Sequence, residues 1–229
     1  MLRYIKRRIL KYKEKQIKND FKTLKIEIQN YELLKPSVWR RIFKCLKKLY
    51  EMSPEVKLGL WNKINLKDNE KFISSIKFNS LINEYININS FSIIINIDFF
   101  NNTKAFIRNK ANTNIYIELD DFIEYSIAHE FGHLLDIIYS FKIGYYNKVK
   151  IIEKKYVNNF FDNLPFSNKI INQVLYSDEF KMDLSDMSKY AMKSNKEAFA
   201  EAVAFGYFNS TNKLSNRILT EFKKWREMC

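Results

Sequence analysis

The 229 residues contain only two cysteines, two histidines, three prolines and four glycines. Cys45 and Cys229 are far apart and no CxxC pair occurs, which excludes a disulfide framework. Both read as free thiols, as suits a reducing compartment. The scarcity of Gly and Pro, beside 46% hydrophobic and 16% aromatic residues, excludes a disordered chain and fits a globular, mostly regular one. No run approaches the roughly 20 apolar residues that a membrane span needs. The basic start, Met1 to Lys11, has no apolar segment after it, which excludes a secretory signal peptide. The expected location is therefore the cytoplasm of the producing cell, with leaderless export left open. No internal repeat or Gly/Ser-rich linker is visible.

Charge is the main excess. Lys and Arg number 39 against 26 Asp and Glu, a formal net charge of +13. That balance suits nucleic acid or an anionic membrane surface. A composition saturated with Lys, Asn and Ile accounts for it equally well, so nucleic acid is the less favoured partner.

Residues 1–50 read as a basic helical N-terminal segment and 51–229 as the domain that carries the chemistry. Over 1–20, Leu2, Ile5, Ile9 and Tyr12 form a stripe among Arg3, Arg7, Lys11 and Lys18, which predicts a helix docked through that stripe. Membrane-surface binding is the other reading of such a helix. Leu24, Ile26 and Ile28 alternate as in a strand. Pro36 opens a helix through Val38, Trp39, Ile42, Leu46 and Leu49, and Ser53-Pro54-Glu55 has the form of another helix start. Residues 93–97, 105–107 and 114–118 read as strands. Asp120 or Asp121 can cap the next helix, which runs through Ile127, Phe131 and Ile138. A final pair of helices begins near Glu197. The fold class expected is α+β, a small mixed sheet with a helix-borne site and extra N-terminal helices.

That site begins with His129-Glu130-Phe131-Gly132-His133, an HExxH motif on a helix and the place of both histidines in the chain. Residues four apart share a helical face, so both imidazoles can face one ion. Glu130, on the flank, can reach a water without being a ligand, as a general base must. Catalytic zinc takes three protein ligands and keeps one position open. With no third histidine, the last ligand must be a carboxylate. Glu197-Ala198-Phe199-Ala200-Glu201 offers two at i, i+4, so Glu197 can bind metal while Glu201 orients a histidine. Four of the eight alanines fall at 198, 200, 202 and 204, small enough to let two helices approach closely. An ordinary amphipathic helix with exposed glutamates would show the same spacing. Asp136, seven residues after His129, is a further candidate to support a ligand, or else a surface aspartate.

HEFGHLLD, followed by Tyr190-Ala191-Met192-Lys193-Ser194-Asn195-Lys196-Glu197-Ala198-Phe199-Ala200-Glu201, resembles the catalytic core of the anthrax lethal factor-like zinc peptidases, a group that includes the clostridial Pro-Pro endopeptidases and toxin- and phage-associated relatives. The resemblance spans roughly residues 105–205. It implies a gluzincin-like domain over 51–229 with one Zn2+ held by His129, His133 and Glu197. Glu130 is then the base, Tyr190 stabilises the oxyanion and Glu201 supports the metal site. A phenol is a suitable donor to developing negative charge, although a tyrosine packed in the core is its ordinary role. The long spacer between His133 and Tyr190 implies an insertion that shapes the cleft. Substrate would add as a strand along 105–108 or 114–118.

The expected function is thus a zinc metalloendopeptidase acting on a protein or peptide. Two alternatives stand beside it. One is an intracellular repressor-cleaving HExxH peptidase, whose third ligand usually follows after a much shorter gap. The other is a non-enzymatic basic module for nucleic acid or an acidic protein, using Arg3, Arg7, Arg8 and the helix around residues 40–48.

Overall fold

The computed structural model describes residues 2–58, 60–67, 74–78, 81–82, 85–87, 91–102, 121–143, 151–153, 164–177 and 183–228. The chain is mostly helical α+β, with a small mixed sheet of four strands. Its first helix, α1 (Leu2–Thr23), ends in a Schellman turn. The Ile26 amide bonds the Phe21 carbonyl, the Lys25 amide bonds that of Lys22, and Lys25 takes a left-handed φ of 57°. That turn consumes most of the alternation expected as a strand over 24–28, leaving only β1 (Glu27–Ile28). Of the stripe expected to dock α1, the side chains of Leu2 and Ile5 lie outside those described, and the other two are corrected. Ile9 and Tyr12 are exposed, and Ile17, Phe21 and Leu24 enter the core instead. Which apolar sector docks is decided by where the next helix lies, not by the richer pattern.

That next helix, α2 (Pro36–Met52), starts with Pro at its first turn, where a missing N–H costs nothing. It buries Val38, Trp39, Ile42, Cys45, Leu46 and Leu49. The Trp39 indole donates to the Tyr31 carbonyl at 2.9 Å. No helix begins at Ser53. The Val56 amide bonds back to the Ser53 carbonyl and closes a turn before β2 (Trp61–Lys67).

The strands β3 (Ser74–Phe78) and β6 (Phe91–Asn96) complete the sheet, in the order β1-β2-β6-β3. The first three strands in that order pair parallel, and β3 runs antiparallel to β6. All six residues of β6 are buried, which is why its isoleucines run consecutively rather than alternate. Ile97, expected in this strand, instead opens the short helix α3 (Ile97–Asn101), with the Asn96 side chain accepting from the Asp98 amide. Three further short strands, β4 (Leu81–Ile82), β5 (Tyr85–Asn87) and β7 (Ile151–Glu153), form an antiparallel group. The strands expected at 105–107 and 114–118, and Asp120, lie outside the described residues.

The helices that bear the site are α4 (Phe122–Ile143) and α6 (Asn195–Tyr207), flanked by α5 (Pro165–Leu175) and α7 (Lys213–Met228). α4 is apolar almost all round, as an enclosed helix must be. One apolar core takes in α1, α2, the sheet and all four later helices. The Arg41 guanidinium forks onto the Glu124 carboxylate, and Tyr50 meets Phe131 edge-on at 5.7 Å. Among the described residues, no helix is long and apolar enough to cross a membrane.

Candidate metal centre

α4 and α6 cross where neither carries bulk. A Cβ added at Gly132 would lie 2.6 Å from the Ala200 Cα and 3.1 Å from its carbonyl oxygen. Glycine costs up to about 1 kcal/mol in a helix interior, so its presence inside HEFGH answers a steric demand. Ala200 supplies the complementary surface, and Ala198, Ala200, Ala202 and Ala204 are all fully buried.

This close approach brings three donor groups together. His129 Nε2 lies 3.1 Å and His133 Nε2 3.3 Å from the same Glu197 oxygen, Oε2. One donor atom from each of the three residues lies within 4.8 Å of those of the other two. Ligands arranged tetrahedrally at ~2.0–2.1 Å from one ion are about 3.3 Å apart, so the carboxylate stands at ligand spacing from both rings. His129, His133 and Glu197 form a group that can hold a metal ion, and their nitrogen and oxygen donors suit a divalent one.

Glu197 reaches this position through the start of its helix. Ser194 caps α6 by accepting from the Glu197 amide at 3.3 Å. A glutamate three residues after a capping serine ordinarily turns back to the cap. Here its carboxylate turns to the histidines instead, while the first turn of the helix still favours its negative charge.

The electrostatics of the cluster are those of carboxylates competing with burial. Burial works against an imidazolium, yet Glu197 and Glu201 outweigh it and push His129 up to about 10. Burial likewise opposes ionisation of Glu197, but the two histidines hold its carboxyl far below the usual range.

Glu201 stands behind His129. One of its oxygens, Oε1, lies 3.1 Å from Nδ1, without the alignment of a full hydrogen bond. The same oxygen accepts from the Tyr125 hydroxyl, and Oε2 accepts from Ser188 Oγ at 2.7 Å. Ser188 is fixed in turn by accepting from the Ala191 amide at 2.9 Å. A carboxylate held on three sides and almost fully buried sets the orientation of the ring it faces.

Glu130 is buried on the flank of the pair, and Ser74 Oγ on β3 donates to its Oε1 at 2.9 Å. Tyr190 packs against His129, ring to ring, at 5.4 Å and 72°. Burial, reinforced by Glu197 and Glu130, raises the Tyr190 phenol above its ordinary value, so it keeps its proton. Lys193 Nζ lies over the far part of this arrangement, 3.7 Å from the Tyr190 ring centre.

Asp136 departs from expectation. It is fully buried, but its Oδ1 accepts from the Ser167 amide at 2.9 Å and from Ser140 Oγ at 3.4 Å. It anchors the first turn of α5 rather than a histidine. At seven residues the helical phase has drifted by about 20°, enough to turn the carboxylate to a different neighbour.

Four residues escaped the sequence reading. Gly132 carried a signal, its presence in a helix interior. Tyr125 lies one helical turn before His129, although nothing in the spacing marks it as a partner of Glu201. Ser74 and Ser188 reach the site only through tertiary contacts. Comparison of the chain with family models, with curated proteins and with solved structures gives no match.

Proposed function

We propose that this chain is a zinc-dependent endopeptidase that hydrolyses a protein or peptide substrate. The observation that carries the proposal is the convergence of His129, His133 and Glu197 with a buried carboxylate, Glu130, beside them that is not one of the three. Zinc held by the three would supply Lewis acidity, which polarises a carbonyl and acidifies water. The resemblance of the two motifs to the lethal factor-like peptidases supports the same reading.

Glu130 takes the proton of the attacking water as its oxygen bonds to the scissile carbonyl carbon. It then gives that proton to the departing amine as the C–N bond breaks. The Ser74 hydroxyl holds one Glu130 oxygen and leaves the other available for this exchange. Tyr190 donates its phenolic hydrogen to the oxygen that becomes negative, a type of contact worth about 3 kcal/mol in other hydrolases. Glu201 keeps the His129 ring turned so that Nε2, not Nδ1, faces Glu197.

The test is Glu130→Gln. The variant should retain one zinc per chain and lose cleavage of a peptide library by roughly a thousandfold or more. Undiminished cleavage would remove Glu130 from the mechanism. Absence of zinc from the wild-type chain after equilibration with the metal would remove the proposal itself.

A further inference from the structure

The stretch of α1 from Ile9 to Tyr12 is left uncovered by the fold in a manner that specifies a partner. Ile17 and Phe21 are buried, and Leu10 lies in line with them, seven and eleven residues earlier on the same face. Leu10 is nonetheless 55% exposed. The helix has therefore left the body of the protein by Leu10, and every side chain from Ile9 to Tyr12 is exposed. Two further apolar side chains stand in solvent there, Ile9 at 47% and Tyr12 at 63% exposure. The Tyr12 hydroxyl is bonded only locally, accepting from Gln16 Nε2 at 3.0 Å.

Charge is concentrated in the same segment. The helix carries nine basic and two acidic residues, and no acidic residue precedes Glu14. Exposed Ile, Leu and Tyr gain nothing on a nucleic-acid backbone, which attracts charge alone. A hydrated acidic protein surface would leave the aliphatic side chains in water. A bilayer interface with anionic headgroups satisfies both features, because aliphatic side chains enter the acyl boundary, tyrosine sits at headgroup level, and each nearby cation adds attraction.

We infer that this uncovered stretch of α1 binds the surface of an anionic lipid bilayer, with Ile9, Leu10 and Tyr12 entering the interface and the basic residues around them held at the headgroups. The helix lies on the surface; it does not span. This inference does not depend on the metal centre.

The full chain is sedimented with vesicles of phosphatidylcholine alone and with 30 mol% phosphatidylserine, over a series of NaCl concentrations. Wild type should bind only the anionic vesicles, and less as salt rises. Ile9→Ser with Leu10→Ser should weaken partitioning by about tenfold or more, since both apolar contacts are lost at unchanged charge. Lys11→Glu with Lys15→Glu should weaken it comparably. These side chains are exposed, so melting temperature should be unaltered in both variants, which separates surface binding from misfolding. Failure of wild type to bind anionic vesicles overturns the inference. So does binding that the Ile9/Leu10 variant retains in full, which would leave charge alone as the cause. A DNA duplex serves as the polyanion control, and DNA binding without vesicle binding also overturns it.

Discussion

Gly132→Ala adds a single methyl group, and its effect on this protein follows from two opposed terms. In an unpacked helix the change stabilises by up to about 1 kcal/mol, because alanine loses less freedom on folding. Here the new Cβ would stand 2.6 Å from the Ala200 Cα and 3.1 Å from its oxygen, where ordinary contact begins at 3.4 Å. Both atoms are backbone, so no side chain can rotate away, and α4 and α6 must part by about 1 Å. Overpacking of this kind costs about 1–3 kcal/mol, so the net effect is destabilising by roughly 1 kcal/mol, or ~3 °C for a chain of this size. The larger effect falls on the metal centre. His129 and His133 lie on one helix and Glu197 on the other, and ligand distances tolerate only about ±0.2 Å. A 1 Å separation should lower zinc affinity by at least about tenfold. Melting of the metal-free chain and calorimetric titration with zinc measure the two effects separately. Ala200→Gly should not rescue the variant, because the closest clash is with the Cα that remains. A Gly132→Ala chain that melts at or above wild type and binds zinc equally well would refute the crossing geometry.

Glu201→Gln removes the charge behind His129 while keeping its shape. Zinc affinity should fall about 10- to 100-fold, as measured by competition with a chelating dye, with the far-UV spectrum unaltered. Tyr190→Phe should leave zinc content intact and lower the cleavage rate by about a hundredfold at unchanged KM, whereas an unchanged kcat, with or without a raised KM, would place Tyr190 outside the reaction. Asp136→Asn tests the anchor of α5. Burial pushes the Asp136 carboxyl up to about 7, against 3.8 as its ordinary value, with the Ser167 and Ser140 bonds pulling the other way. The folded chain therefore holds a proton that the unfolded chain releases, and this group's contribution is favourable below about pH 4 and lost as pH rises through 7. Relative to wild type, the asparagine variant should gain stability as pH rises from about 4 to 7, by a few kcal/mol at most, in urea unfolding. A difference that does not change with pH would show that Asp136 is ionised in the fold.

What the sequence made legible was local. The i, i+4 spacing of His129 and His133, the apolar positions of α2 and the run Ile93–Ile95 each specify a helix face or strand whose own periodicity is enough. Glu197 was reachable because the scarcity of histidine left only a carboxylate. Asp136 misled for the complementary reason. Its spacing was correct for the helix, but its partner, the Ser167 amide, is 31 residues away and leaves no trace in local pattern. α1 presents two apolar sectors, and only the position of α2 selects Ile17 and Phe21 over Ile9 and Tyr12. The strand expected at 24–28 yielded to a helix stop at Lys25, which is not glycine and so gave no warning. Ser74 and Ser188 became visible only when distant segments met.

The grip of α2 on α4 determines where this protein can be shortened. Arg41 holds Glu124, Cys45 Sγ lies 3.5 Å from the Glu124 carbonyl, and Lys48 Nζ donates to the Tyr207 carbonyl at 2.7 Å at the far end of α6. Trimming the chain at residue 51 would strip one wall from the helix that carries both histidines and uncover Phe131. A fragment that keeps this wall begins before Pro36.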